Sequence, residues 1–563
     1  MKPLGRMKAH SRTKVQGRIK AHNISRSKHF TALVLVLFGM VICLNLIFPL
    51  LTLFLKSVDY EPFYQGFAKV FSNAATRSAV KNSFLVSFAA SAISIVSAYF
   101  YAYIVEYKLR RRARRVFRLL AILPMLVPSI THGIVIVYLF GKRGIFTNLL
   151  GVQLPIYGPL GIIMGSFFYA FPIAFLVISQ ALLNLDGRIF ESSLVLGVRP
   201  MRRFFEITLP ITKYAIFSAF AVCFTMVFTD YGIPLSVGGT YPILPLLFYK
   251  NVIGLLDFSR GAIYSLMILV PAVLLYLLDI LYFSKMQVSS THNKIKVRSG
   301  RFHPLQKLIF VFLTVLVLVP IGIVLIAPFV TAWPYNTTPT LSHFSQIISV
   351  GKLGRLIGNS VFIALGSGIL GTLLALGAGY LYVRDPNGLS AAKKVLHGLY
   401  MTALAVPGLA LGLAFALFFK GTFLYNTILL MIIVNAIHFL GSPYLMAISH
   451  FKLLNPNLEA ICRTLGGNFF HVLFDIILPN STRMLLDVFV YFFTNTMVTI
   501  SAISLLYNSR NLTLALQITA YSDQGAWESA VAVSLVILLL NMTAKIFQSR
   551  QLSRGTPTKV PDA

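Results

Sequence analysis

The sequence predicts an all-α membrane protein of about twelve transmembrane helices, built as two tandem six-helix repeats. Three observations predict it. Of 563 residues, 57% are hydrophobic and only 12% charged, a balance foreign to soluble domains. Apolar runs of about 20 residues, the length a helix needs to cross a bilayer, recur along the chain. The second half repeats the first at an offset of about 270 to 280 residues.

The first thirty residues carry nine Lys or Arg and no acid. The apolar run at 31–55 is too long for a signal-peptide core and has no small-residue cleavage site after it, so it reads as a retained first helix. Eleven more spans are expected at 83–105, 119–140, 160–182, 215–233, 262–283, 308–332, 360–382, 397–419, 428–448, 484–506 and 529–547. The chain then divides into a basic tail (1–30), a first membrane domain (31–283), a basic linker (284–307), a second membrane domain (308–547) and a closing tail (548–563).

Repeated signatures fix the register of the two halves. Asn82-Ser83 opens the second span and Asn359-Ser360 the eighth; Pro128 lies within the third span where Pro407 lies within the ninth. Six helices per half is an even number, so both halves insert the same way, around a pseudo-two-fold axis along the membrane normal. A pathway between such halves is the expected place of transport.

The net charge of +33 reports topology. If the N-terminal tail is cytoplasmic, about three quarters of the 49 Lys and Arg fall on that side, as the positive-inside rule demands. Both termini are then cytoplasmic. The densest cluster, Lys108, Arg110, Arg111, Arg112, Arg114, Arg115 and Arg118, reads as a topology anchor, because a short loop between spans has little room for nucleic acid. The three cysteines, Cys43, Cys223 and Cys462, have neither disulfide nor metal spacing. No catalytic cluster stands out, and no cofactor or metal is expected on the chain.

Ionisable residues within spans are costly and point to function by default. Asp279 has Lys285 nearby and Asp487 lies four residues after Arg483, both read as structural pairs. His132 and His438 read as hydrogen-bonded structural histidines. Asp230 has no local partner, and Gly232 and Pro234 break the helix beside it. Lining of the pathway and a satisfied structural acid both remain open for Asp230.

The loops between the fourth and fifth spans of each half discriminate among transporters. They read NLDGRIFESSLVLGVRPMRRFFEITLPIT and LLNPNLEAICRTLGGNFFHVLFDIILPNS. Each has a helical stretch, a glycine suited to a left-handed helix end, a second amphipathic stretch, and Leu-Pro opening the next span. This resembles the EAA loop of binding-protein-dependent ABC importers: Glu-Ala-Ala, three residues, Gly, nine residues, Ile-x-Leu-Pro. The first loop matches at Glu191, Gly197, Ile207, Leu209 and Pro210, with Ser192 and Ser193 in place of the alanines. The second keeps Gly466, Ile476, Leu478 and Pro479 but has Ala460 where the glutamate belongs, with Glu459 one residue early.

The resemblance implies the type I importer fold, two MetI-like permease domains, in a bacterial cytoplasmic membrane. It also implies docking of an ATPase dimer on the two loops and of a separate solute-binding protein on the outer face. The chain has no Gly-x4-Gly-Lys-Ser/Thr loop to cradle nucleotide phosphates, so ATP hydrolysis is assigned to that partner. Major-facilitator secondary transporters are also six-plus-six duplications, but neither EYKLRRRARR nor VRDPNGLSAAKK supplies their glycine, acid and arginine signature. Fused permeases of this length resemble the ferric-iron, thiamine and 2-aminoethylphosphonate branch. The phrases FTDYGIPLSVGG, AVPGLALGLAF, AIHFLGSPYL and FFTNTMVTISAISLLYNS look most like its 2-aminoethylphosphonate permeases.

Overall fold

The computed structural model describes residues 32–59, 63–185, 187–279, 281, 303–349, 352–384 and 390–554. The basic N-terminal tail and nearly all of the 284–307 linker, Lys285 included, lie outside these residues. Among the described residues ten helices are long and apolar enough to span a membrane, or eleven when one bent pair is counted.

The first half contains α1 (Ala32–Val58), α2 (Ala74–Tyr107), α3 (Arg111–Ile122), α4 (Ser129–Phe140), α5 (Pro159–Leu183), a short α6 (Gly187–Val195), α7 (Leu209–Thr229), α8 (Gly232–Val237), α9 (Leu244–Tyr249) and α10 (Phe258–Leu278). The second contains α11 (Pro304–Ile326), α12 (Leu353–Arg384), α13 (Ser390–Thr402), α14 (Gly408–Phe418), α15 (Ile428–His438), α16 (Gly441–Leu453), a short α17 (Asn457–Thr464), α18 (Leu478–Val498), α19 (Leu514–Asp523) and α20 (Trp527–Arg554). A two-stranded antiparallel hairpin, Val330–Ala332 with Asn336–Pro339, follows α11.

Three expected spans are broken. The third stops at α3, passes through Val127 and Pro128 in extended conformation and restarts as α4; the ninth does the same between α13 and α14 at Pro407. Proline lacks the N–H that a continuous helix needs and forces the residue before it out of helical geometry. The tenth is bent by 55° between α15 and α16. The fifth and eleventh spans end earlier than expected, at Thr229 and Val498.

The Asn-Ser signature does the same work in both halves. Asn82 donates to the Pro242 carbonyl (2.9 Å) and Asn359 to the Leu512 carbonyl (2.9 Å). Ser83 accepts from the Leu244 N–H (2.9 Å) and Ser360 from the Leu514 N–H (2.8 Å). Each pair thus ties the first part of a long helix to the start of α9 or α19: the serine caps the first N–H, which has no intrahelical acceptor, and the asparagine holds a carbonyl just ahead of it.

The lead helices are exchanged. In α1, Leu35, Ile42, Leu46 and Leu53 belong to the same buried core as the second-half helices, and Phe38 lies against Gly377 so closely that a Cβ there would collide with its ring. In α11, Phe310, Leu313 and Val317 belong to the first-half core, with Phe310 stacked on Tyr101 at 4.9 Å. Between the halves, Thr131 and Ser534 share a hydroxyl hydrogen bond (2.9 Å), and Asn541 donates to the Leu126 carbonyl at the third-span break (3.0 Å).

Candidate functional site

At one end of the bundle the two fourth-to-fifth-span loops adopt the same backbone. In the first, α6 ends at Gly197, whose φ of +69° is left-handed. The Val198 N–H then reaches back to the Ser193 carbonyl (3.0 Å). In the second, α17 ends at Gly466 with φ +87°, and the Gly467 N–H reaches the Cys462 carbonyl (2.9 Å). These long back-bonds are Schellman ends, which satisfy carbonyls that a helix terminus leaves open. A Cβ at either glycine would meet nothing within 4 Å, so the backbone conformation and not lack of room demands glycine.

Beyond each glycine comes a short helix, Pro200–Arg203 or Phe469–His471, then a π-turn, Phe204–Thr208 or Val472–Ile477. Leu209-Pro210 and Leu478-Pro479 open α7 and α18, with proline in the first turn, where its missing N–H costs nothing. Ile207, Leu209, Ile476 and Leu478 are half-buried and anchor the turn, while Pro210 and Pro479 are exposed.

Sequence reasoning missed what these loops present outward. Leu196 is 79% exposed and its counterpart Leu465 is 83% exposed. Met201 and Phe470, and Phe205 and Phe474, are likewise exposed pairs at the same register. The signal was the repeat itself: three large apolar residues held at one offset on the outside of a loop. Two such patches on one end of a molecule mark an interaction surface.

Glu191 is exposed on α6, but Glu459 is turned inward. It is 7% exposed, lies 3.6 Å from the Arg384 guanidinium at the end of α12, and accepts from the Tyr380 hydroxyl (3.3 Å). Glu459, named with Glu191 among the candidate docking residues, is therefore not presented at the loop surface as Glu191 is: the one-residue shift rotates it about 100° around its helix, toward the bundle. Arg384 also donates to the Leu454 carbonyl, so Glu459 pins α17 to α12.

The family model for the binding-protein-dependent transport system inner membrane component matches residues 92–284 and again 371–554, and each match contains one of these loops. The chain belongs to this family. It is also similar to the ferric transport system permease protein FbpB of Actinobacillus pleuropneumoniae, 24% identical over 446 residues, which cover 76% of this chain and 64% of the relative. It thus spans under two thirds of that relative's length. The Fe(3+)-transport system permease protein FbpB 2 of Haemophilus influenzae is 22% identical over 429 residues, covering 74% of this chain and 79% of the relative.

In this inner membrane component the other singled-out groups are mostly satisfied. Asp230 sits in the gap between α7 and α8 and its Oδ2 accepts from the Ile233 N–H (3.0 Å), so it holds the start of α8. Asp279 accepts from Ser218, and Asp487 accepts from Gln548 (2.7 Å) in place of the expected Arg483. His132 bonds the Pro124 carbonyl (3.1 Å). One buried acid was overlooked: Glu106 accepts from Arg118 (2.8 Å) and Ser179 (2.5 Å) and has Arg114 at 3.9 Å. Its neighbours in EYKLRRRARR are the signal that could have found it.

Proposed function

We propose that the chain is the membrane-spanning subunit of an ATP-driven importer, with its loop end in the cytoplasm and its termini on that side. The duplicated loop carries this reading: two glycine-ended helices, each followed by a π-turn and Leu-Pro, present matched apolar patches to one partner surface. A dimeric ATPase has the required two-fold symmetry, each subunit receiving one loop in a cleft. Gly197 and Gly466 set the exit angle of the loop helices; Ile207, Leu209 and Pro210, with Ile476, Leu478 and Pro479, join them rigidly to the fifth and eleventh spans. Glu191 supplies a charged contact in the first loop. Glu459 acts from inside the second, by holding α17 on α12.

Closure of the ATPase on ATP would draw the loops together and favour one of two packings of the halves, exposing the pathway to alternate sides. ATP drives this only through its unequal affinity for the two packings. Asp230 serves here as a structural acid that fixes the broken helix beside the pathway. A separate solute-binding protein delivers cargo at the opposite end.

For cargo we favour 2-aminoethylphosphonate or a related phosphonate, on the sequence phrases that resemble such permeases. Ferric iron is the second reading, favoured by the names of the relatives. The test is reconstitution in liposomes with the cognate ATPase and binding protein. ATP-dependent accumulation of phosphonate is expected. Accumulation of iron alone would replace the first cargo with the second, and uptake driven by an ion gradient without ATP would overturn the importer reading.

A further inference from the structure

A cavity of about 500 Å³ opens at the loop end of the first half, between α3 and the last turns of α5. Its volume lies in the roughly 300–1,000 Å³ range of sites that hold small ligands. One wall carries four guanidinium groups, Arg111, Arg114, Arg115 and Arg118. Glu106 engages Arg114 and Arg118 from beneath and so fixes that part of the wall, while Arg111 and Arg115 remain exposed at the rim. One carboxylate against four guanidiniums leaves a strong positive excess. The facing wall, from α5, mixes Phe175, Leu176 and Leu183 with Ser179 and Gln180, and Leu176 together with Leu119 of α3 forms an exposed apolar edge.

The wall has this form because α3 is amphipathic and ends at the proline-broken third span. Val116 and Leu119 are exposed beside the arginine row, the form of a helix suited to lie along a membrane surface. Among the described residues of the second half the same positions are filled differently: Ser390, Lys393, Lys394 and His397 of α13 stand at the register of the four arginines, and Val383 of α12 stands where α2 has Glu106.

We propose that this cavity is a binding site for one anionic phospholipid, with its phosphate held between Arg111 and Arg115 and an acyl chain laid over Leu119 and Leu176. Guanidinium groups suit the phosphate because they donate in pairs to its oxygens. A basic pocket between helices beside an exposed apolar edge is matched by an anionic headgroup with its tail, whereas a soluble phosphate would leave Leu119 and Leu176 uncovered. The site is independent of which cargo the importer moves.

The test uses the full-length protein, purified and delipidated, with lipid binding followed by native mass spectrometry. Cardiolipin should bind with a stoichiometry of one, at least about tenfold more tightly than phosphatidylethanolamine, and added salt should weaken it. The double variant Arg111→Gln/Arg115→Gln, which spares the Glu106 network, should lose about tenfold or more of the cardiolipin affinity. The matching Lys393→Gln/Lys394→Gln variant in α13 should keep it. Equal binding of the two lipids, salt-independent binding, or unchanged affinity in the arginine variant would overturn the proposal. Displacement of cardiolipin by millimolar inorganic phosphate would overturn it too, in favour of a soluble anion.

Discussion

Glu191 and Glu459 stand one residue apart in the repeat register, yet one faces solvent and the other is sealed against Arg384 and Tyr380. The frame around them is the same in both halves: left-handed glycine, back-bonded helix end, π-turn, Leu-Pro. Duplication has preserved the geometry of the loops and let their electrostatics diverge. In the first half the buried acid is Glu106, which joins α2 to α3 and α5 and lies away from the loop helix in the chain. In the second the buried acid lies on the loop helix itself. Backbone shape is therefore what the two loops share, and each half has its own way of stiffening the elements around it.

The comparison can be broken most directly at the buried pair. Glu459→Ala would leave the Arg384 guanidinium buried without its carboxylate, at a cost of about 3–5 kcal/mol. The detergent-solubilised variant should melt well below the parent, while Glu191→Ala should not shift melting. Matching melting curves for the two would erase the distinction.

Next come the apolar patches. Phe205→Ala and Phe474→Ala should each weaken ATPase binding by about 2 kcal/mol, read in a binding titration, with no change in melting. A loss confined to one half would show that the ATPase grips the loops unequally. Smaller still is the backbone term: Gly197→Ala and Gly466→Ala should each cost about 1–2 kcal/mol for a side chain in the left-handed region. Asparagine should recover part of the coupling of ATP hydrolysis to uptake, because the space around both glycines is open. The smallest effect tests the sameness of the halves. Ser83→Ala and Ser360→Ala each remove one acceptor from a buried N–H, and equal losses of about 1 kcal/mol in unfolding stability are expected.

Much of this was legible in the sequence because it is local. Apolar run length gave most spans, and a glycine followed by Leu-Pro states its own backbone geometry. The breaks at Pro128 and Pro407 were hidden because hydropathy counts apolar side chains and ignores missing N–H groups. The bend before Gly441 was hidden for the same reason: Pro443, in the first turn of α16, withholds the N–H that a continuous helix would bond to the Phe439 carbonyl. Burial of Glu459 depends on an arginine in a distant helix, which no local pattern could disclose. The exposed Phe205 and Phe474 went unread because apolar residues near a span are assigned to lipid by default. Glu106 was overlooked because its seven basic neighbours were read as topology.

The exchanged lead helices also impose an order on biogenesis. A nascent chain that has threaded its first six spans still lacks the helix bearing Phe310, Leu313 and Val317, and its own first helix has no second-half surface to rest on. Neither repeat can finish packing before the other has entered the bilayer. The two halves mature together, and a chain severed between them would require both fragments to be inserted side by side.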